Sequence, residues 1–346
     1  MNDLSRLPTG ELAFGHLNVS AAELLAGYRK MVIGRRLDQQ ATNLAKQGYL
    51  TVYPSSRGQE ACQISAAMAL GHTDWLFPTY RDTVAMITHG VDPVEALTML
   101  RGDWHCGFNP LELRTAPHST PLATHASHAV GLAMAARYTG RNAVALVLCG
   151  EGSTSEGDFH EALNLAAVFD VPVVFLVQHN GYAISVPSHK QCRAKSIADK
   201  AAGYGMLGTS VDGNNFAETF CAVRSAVETA RCGDGPTLIE ARTYRMAPHT
   251  NSDDPSLYRD PAEAQSWLAK DPIDQLQASL IALGLLDDEI NEDITQKAND
   301  LAAQLRRGVM DVPEKDASRL FSNVYATLPP HLAKQQQAVA LQETNS

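Results

Sequence analysis

Residues 149–187 read CGEGSTSEGDFHEALNLAAVFDVPVVFLVQHNGYAISVP, and this stretch constrains the chain more than any other. An apolar strand ends in Gly150-Glu151-Gly152, a helix follows, and a second apolar strand runs into Gln178-His179-Asn180-Gly181-Tyr182. A strand–helix–strand unit joins parallel strands. Glu151 and Asn180 therefore leave the carboxyl ends of two successive strands, where open α/β sheets bind their ligands. The glycines permit a tight turn and close approach of backbone to a ligand. Glu151, the Asn180 side chain and the Tyr182 backbone carbonyl are three hard oxygen donors of the kind that magnesium combines with a pyrophosphate. The start of the intervening helix offers N–H groups to the same anion.

The alternation extends beyond this segment. Helical spacing predicts helices over residues 21–47, 59–70, 82–101, 123–138, 156–169 and 215–231. Extended runs fall at 74–81, 143–148, 171–177, 207–211 and 237–242. The fold class expected is α/β, a mainly parallel sheet with helices on both faces. Residues 102–121 hold three prolines and read as a functional loop. Residues 1–20 read as an N-terminal arm and 21–333 as one ligand-binding domain, helical from about 263 onward near 263–284, 287–308 and 312–327. The polar tail at 334–346 reads as disordered.

A net charge of −10 argues against nucleic acid or an anionic membrane as the main partner. The six cysteines show no CxxC pairing, no window approaches 18 uncharged apolar residues, and the first residues lack a secretory pattern. The expectation is a reduced, cytoplasmic protein.

The Gly-Glu-Gly to Asn-Gly-Tyr segment resembles the thiamine diphosphate motif. GEGSTSEGDFHEALNLAA and VPVVFLVQHNGYAIS are together similar to the α subunit of the thiamine diphosphate-dependent 2-oxoacid dehydrogenase decarboxylase component. The resemblance runs from about Tyr28 to Arg259, and Glu rather than Asp at position 151 resembles the branched-chain members. It implies that Gly150, Glu151, Gly152, Ser153, Gln178 and Asn180 hold the cofactor, with Glu151, Asn180 and Tyr182 on Mg2+. FPTYRD is similar to the family's diphosphate-contacting segment and nominates Tyr80 and Arg81. STPLATHASHAVG is similar to the stretch beside the aminopyrimidine and nominates Thr120 and Leu122, although Ser119 or Thr120 also suits a helix N-cap. RMAPHTNSDDPSLYRD resembles the active-site loop, with Arg245 and His249 at the cofactor and His249 as the catalytic imidazole.

Two departures stand out. Gln178 replaces an arginine of the branched-chain relatives, so either Gln178 acts as a neutral donor to the diphosphate or His179 helps. Thr124-His125 replaces the Thr-Gln pair of a potassium site, and imidazole is a poor potassium ligand. The glutamate that activates the pyrimidine ring has no counterpart here; Glu156 and Glu161 suit capping or surface positions. The resemblance thus implies a β subunit, an α2β2 assembly, and acyl transfer to a lipoyl-bearing acyltransferase core. Branched-chain 2-oxoacids are the favoured substrates, with pyruvate or acetoin as alternatives. A nicotinamide oxidoreductase would need GxGxxG after the first strand, which CGEGSTSEG does not supply. A non-catalytic assembly subunit is the third reading.

Overall fold

The computed structural model describes residues 17–103, 105–311, 319–322 and 325–343. Seven strands occur among them: β1 (Trp75–Phe77), β2 (Ala145–Gly150), β3 (Val173–His179), β4 (Tyr182–Ala183), β5 (Val186–Pro187), β6 (Leu207–Asp212) and β7 (Thr237–Arg242). Five form a parallel sheet of order β1-β2-β3-β7-β6, and β4-β5 is a small antiparallel hairpin. The helices are α1 (Ala21–Lys46), α2 (Glu60–Met68), α3 (Thr83–His89), α4 (Pro93–Ala96), α5 (Pro110–Leu113), α6 (Thr124–Tyr138) and α7 (Gly157–Val168). Then follow α8 (Ser188–Gln191), α9 (Phe216–Cys232), α10 (Pro261–Leu268), α11 (Pro272–Ala282), α12 (Asp288–Met310), α13 (Arg319–Ser322) and α14 (Pro330–Glu343).

The central strands are apolar runs because a parallel sheet between two helical layers is buried on both faces. Their side chains alternate between two cores. Leu146, Leu148, Val174, Leu176 and Ile239 pack with residues of α2, α3 and α9. Ala145, Val147, Cys149, Val173, Phe175, Val177 and Leu238 pack with α6 and α7. This period of two decides what happens beyond the strand ends. Gln178 continues the face turned to α2, and His179 continues the other. Gly150 lies in register with Gln178, which brings the two loops that follow β2 and β3 side by side.

Local chemistry explains the boundaries. Helix α1 starts at a capping box between Ser20 and Glu23, the Glu23 N–H donating to Ser20 Oγ at 3.2 Å. Its Leu24, Tyr28 and Met31 pack with Phe216 and Phe220 of α9 and with Leu276 and Leu280 of α11. The helix expected over 82–101 is three pieces. Gly90, at φ 122°, ends α3, and Asp92 caps a new start at Pro93 through the Val94 N–H at 2.8 Å. The 102–121 loop contains the short helix α5, opened by Asn109 and Pro110. The stretch near 263–284 is likewise two helices, α10 and α11, each opened by an Asp-Pro pair at Asp260-Pro261 and Asp271-Pro272.

The chain divides into two compact units, one up to Arg306 and one from Arg307. The second contains α13 and α14. Where the polar composition from Lys334 suggests disorder, α14 runs from Pro330 to Glu343, with proline in its first turn. The helix expected over 312–327 lies partly outside the described residues, as does most of the 1–20 arm.

Candidate functional site

The carboxyl ends of β2 and β3 and the segment following β7 enclose a cavity of about 250 Å³. It is lined by Tyr80, Arg81, Leu122, Gly150, Glu151, Gly152, Ser153, Gln178, Asn180, Tyr182, Arg245 and His249, among others. Of the residues that the resemblance nominated for the cofactor or the metal, all but Thr120 therefore line one cavity. Thr120 is exposed and does not line the cavity, because the 119–122 turn presents Leu122 instead. Neither Ser119 nor Thr120 caps α6, whose N-cap position is Ala123 at φ 64°.

Glu151 is 1 % exposed. Its Oε2 accepts from the Asn180 backbone N–H at 3.2 Å, and its Oε1 accepts a long 3.4 Å contact from Ser188. Burial raises its pKa, with the His179 and Arg245 charges opposing. A carboxylate so placed is under-compensated. A short 3-10 turn, Glu151–Ser155, separates the strand from α7, so the turn meets the cavity before the helix start at Gly157 does. A Cβ on Gly150 would meet no atom of the described residues within 4 Å, and one on Gly152 would press on Ala183 Cβ at 3.1 Å. The first glycine opens onto the cavity and the second permits the turn to pack on β4.

The opposite wall is cationic. Arg81 is 5 % and Arg245 1 % exposed. Arg81 donates to the Ser55 carbonyl at 3.0 Å and the His249 carbonyl at 3.1 Å, and its Nη2 lies 3.0 Å from His249 Nδ1. Arg245 donates to the Ile184 carbonyl at 2.7 Å and to Tyr258 Oη at 3.0 Å, and its Nη1 lies 3.4 Å from the same His249 nitrogen. Two guanidinium donors make Nδ1 an acceptor, which leaves the imidazole proton on Nε2. Burial and the two arginines push the His249 pKa down to about 4. His249 is thus neutral near pH 7, and the ring of Tyr80 stands edge-on to it at 6.0 Å.

Gln178 is 2 % exposed and held in a side-chain network with Gln59, Gln63 and Asp82. His179 does not help at the cavity. It faces the other side of the sheet, where Nδ1 lies 2.7 Å from Glu240 Oε1. Of the two possibilities raised by the missing arginine, only Gln178 is at the cavity. His125 is 4 % exposed and contacts the Leu148 carbonyl at 2.7 Å, a packing position. Glu156 is exposed at the cavity edge, whereas Glu161 is exposed and does not line it.

Sequence reasoning missed three contributors. Gln59, 1 % exposed, accepts from Asn180 Nδ2 at 3.0 Å. Ile184 has φ 57°, a left-handed conformation that strains a β-branched residue, and it lines the cavity while its carbonyl is held by Arg245. Arg259 donates to the Arg245 carbonyl at 2.6 Å and pins the 245–249 segment from behind. Ile184 follows the Asn-Gly-Tyr motif by two residues, which was the available signal; the role of Gln59 depends on a segment 121 residues away, and that of Arg259 on how the 245–259 segment folds back on itself.

The cavity fits a diphosphate-bearing, cation-bound ligand. Ser153 Oγ, Gln191 Oε1 and Arg245 Nε are buried polar atoms without a hydrogen-bond partner among the described residues, and all three residues line it. The Glu151–Asn180 pair supplies oxygen donors, and the arginines supply charge for an anion. Among the described residues no group of three or more His, Cys, Asp or Glu side chains could hold a metal ion. A cation here would be held by one carboxylate, one carboxamide, backbone and ligand oxygens.

The model of the dehydrogenase E1 component family matches residues 28–314. The chain is 44 % identical over 330 residues to the 3-methyl-2-oxobutanoate dehydrogenase subunit alpha of Mycobacterium tuberculosis, covering 95 % of this chain and 90 % of that protein. It is 36 % identical over 325 residues to the 2-oxoisovalerate dehydrogenase subunit alpha of Bacillus subtilis, covering 90 % and 97 %. It is 35 % identical over 316 residues to the pyruvate dehydrogenase E1 component subunit alpha of Staphylococcus aureus, covering 90 % and 85 %.

Proposed function

The chain belongs to the dehydrogenase E1 component family, a thiamine diphosphate-dependent family of 2-oxoacid dehydrogenase α subunits, and from that premise we propose how its residues act and on what. The substrate is a branched-chain 2-oxoacid such as 2-oxoisovalerate. Glu151 and the names of the relatives at 44 % and 36 % identity support this over pyruvate. The observation that carries the site assignment is the meeting, in one cavity, of the buried Glu151–Asn180 pair with two buried guanidiniums.

Thiamine diphosphate, when bound, supplies a nucleophilic carbon for the 2-oxo group and an electron sink for loss of carbon dioxide. Glu151, Asn180 and the Tyr182 carbonyl hold Mg2+ at the diphosphate. Arg81 and Arg245 neutralise the remaining anionic charge, with Tyr80 and Ser153 as neutral donors. Leu122 and Ile184 give the ring system an apolar wall. His249 is kept neutral by the two arginines and offers its Nε2 proton to negative charge developing at the substrate.

Among the described residues, the only cavity-lining carboxylates are Glu151 and Glu156. The glutamate that activates the pyrimidine comes instead from a β subunit in an α2β2 assembly, which passes its acyl group to a lipoyl-bearing acyltransferase in the cytoplasm. Two assays test this. The isolated chain with thiamine diphosphate, Mg2+ and 2-oxoisovalerate should not turn over, and adding the β chain should restore activity; turnover by the chain alone would refute the two-subunit reading. Calorimetry should show Mg2+-dependent cofactor binding that Glu151→Ala abolishes. Unchanged affinity would remove Glu151 from the metal site.

A further inference from the structure

Behind Asn180 runs a chain of buried amides, with Asp82, Gln178, Gln59 and Asn180 exposed by 0 %, 2 %, 1 % and 5 %. Its direction is fixed at one end by chemistry. The Thr79 backbone N–H donates to Asp82 Oδ2 at 2.7 Å. Thr79 Oγ1 accepts from the Arg81 backbone N–H at 3.2 Å, so its own proton goes to the same Oδ2 at 2.6 Å. Asp82 therefore meets the network as an acceptor, and Oδ1 takes a proton from Gln178 Nε2 at 2.7 Å. With its NH2 turned to Asp82, Gln178 presents its oxygen to Gln59 Nε2 at 2.7 Å and Gln63 Nε2 at 3.1 Å. Gln59 in turn presents its oxygen to Asn180 Nδ2 at 3.0 Å. That leaves Asn180 Oδ1 on the side where it accepts from the Tyr182 N–H at 3.2 Å.

An amide can be turned over without changing its shape, so packing alone does not choose between oxygen and nitrogen. Here each choice is set by the one before it, the first is forced by a carboxylate, and the last agrees with the Tyr182 N–H, which also calls for the Asn180 oxygen. We infer that Asp82, through Gln178 and Gln59, acts as a positioning relay that keeps the Asn180 amide oxygen, rather than its NH2, at the cation site. The inference rests on the assignment of Asn180 to Mg2+. It also gives Gln178 a role that a neutral side chain fills and a cation would not: it transmits orientation by donating on one side and accepting on the other.

The test is isosteric. In Asp82→Asn the oxygen is retained by the two Thr79 donors, so the new NH2 faces Gln178 and turns over Gln178 and Gln59; the Gln59 NH2 then opposes Asn180 Nδ2 while the Tyr182 N–H still claims Oδ1, and Asn180 loses a bond whichever way it lies. The Mg2+ half-saturation for thiamine diphosphate binding, measured by calorimetry on the chain assembled with its β subunit, should rise about 10- to 100-fold, the usual cost of disturbing a ligand's support. Adding Gln178→Glu moves the carboxylate one step along: it accepts from the amide introduced at position 82 on one side and from Gln59 on the other. The D82N/Q178E double variant should therefore return the half-saturation toward the parent value, a rescue that a merely structural role would not give. If D82N leaves Mg2+ dependence unchanged while Glu151→Ala abolishes it, the relay is wrong and the metal site stands. If D82N weakens binding and the double variant does not restore it, the relay is also overturned. If Glu151→Ala has no effect, the metal assignment itself fails and the relay with it. Should D82N not fold, the double variant decides: parent-like binding supports the relay, and weakened binding or failure to fold overturns it.

Discussion

Glu240 offers a quantitative check on the scaffold beside β3. Its carboxylate, 1 % exposed, accepts from the Ile197 N–H at 3.1 Å and from Ser196 Oγ, and lies 2.7 Å from His179 Nδ1. Burial pushes its pKa up, but the bonds from His179, Ser196 and Ile197 outweigh burial and hold it down from 4.5 to about 2. That difference is worth about 3 kcal/mol at roughly 1.4 kcal/mol per tenfold change, near the lower end of the ~3–5 kcal/mol lost when one partner of a buried ion pair is removed. The sign follows from both partners. A depressed carboxyl contributes above its ordinary range and loses the contribution as pH falls from about 4.5 toward about 2. The His179 pKa is raised, first by its bond to Glu240. Its contribution is present below about 6.5 and is lost as pH rises through its elevated value. Glu240→Gln should therefore cost about 3 kcal/mol near pH 5.5, with the deficit shrinking on both sides. Urea unfolding at fixed protomer concentration, followed by fluorescence and circular dichroism across that pH range, measures it. A deficit below about 1 kcal/mol, or one independent of pH, would refute the reasoning.

Other outcomes follow from the same geometry. The His249 ring protons in the cofactor-free protein should titrate near pH 4 by NMR, and Arg245→Gln should move that titration upward. Gly58→Ala should destabilise the chain by more than about 1 kcal/mol in thermal unfolding, since φ is +94° and the new Cβ would sit 2.3 Å from the Tyr244 carbonyl oxygen. Ile184→Gly should stay within about 1 kcal/mol of the parent in stability, because relief of the left-handed strain offsets the lost side chain, yet it should weaken cofactor binding in calorimetry. Tyr182→Phe should cost about 1 kcal/mol through loss of the 2.6 Å bond to Glu263.

The central sheet was legible because burial on both faces demands apolar runs, and β7 coincides with the run read from sequence, Thr237–Arg242. The cavity residues were legible because they sit at strand ends or in motif-like turns. What escaped depended on side-chain direction or distant partners. The divergence of Gln178 and His179 follows from the pleat, yet sequence alone left both facing the ligand. Gln59 is 121 residues from the amide that it holds, and nothing in GQEAC marks it as a support. The break at Gly90 was visible as a glycine but not as φ 122°.

Those long separations also bear on when the site can exist during synthesis. Asn180 reaches back 121 residues to Gln59, His249 reaches back 168 to Arg81, and Thr243 reaches back 185 to Gly58 at 2.8 Å. Closing such loops costs chain entropy before any contact rewards it. The cationic wall cannot form until the segment after β7 has left the ribosome. A ligand of the cavity thus meets a sheet that has already assembled, and truncation before Arg245 leaves the cavity without one of its two buried guanidiniums.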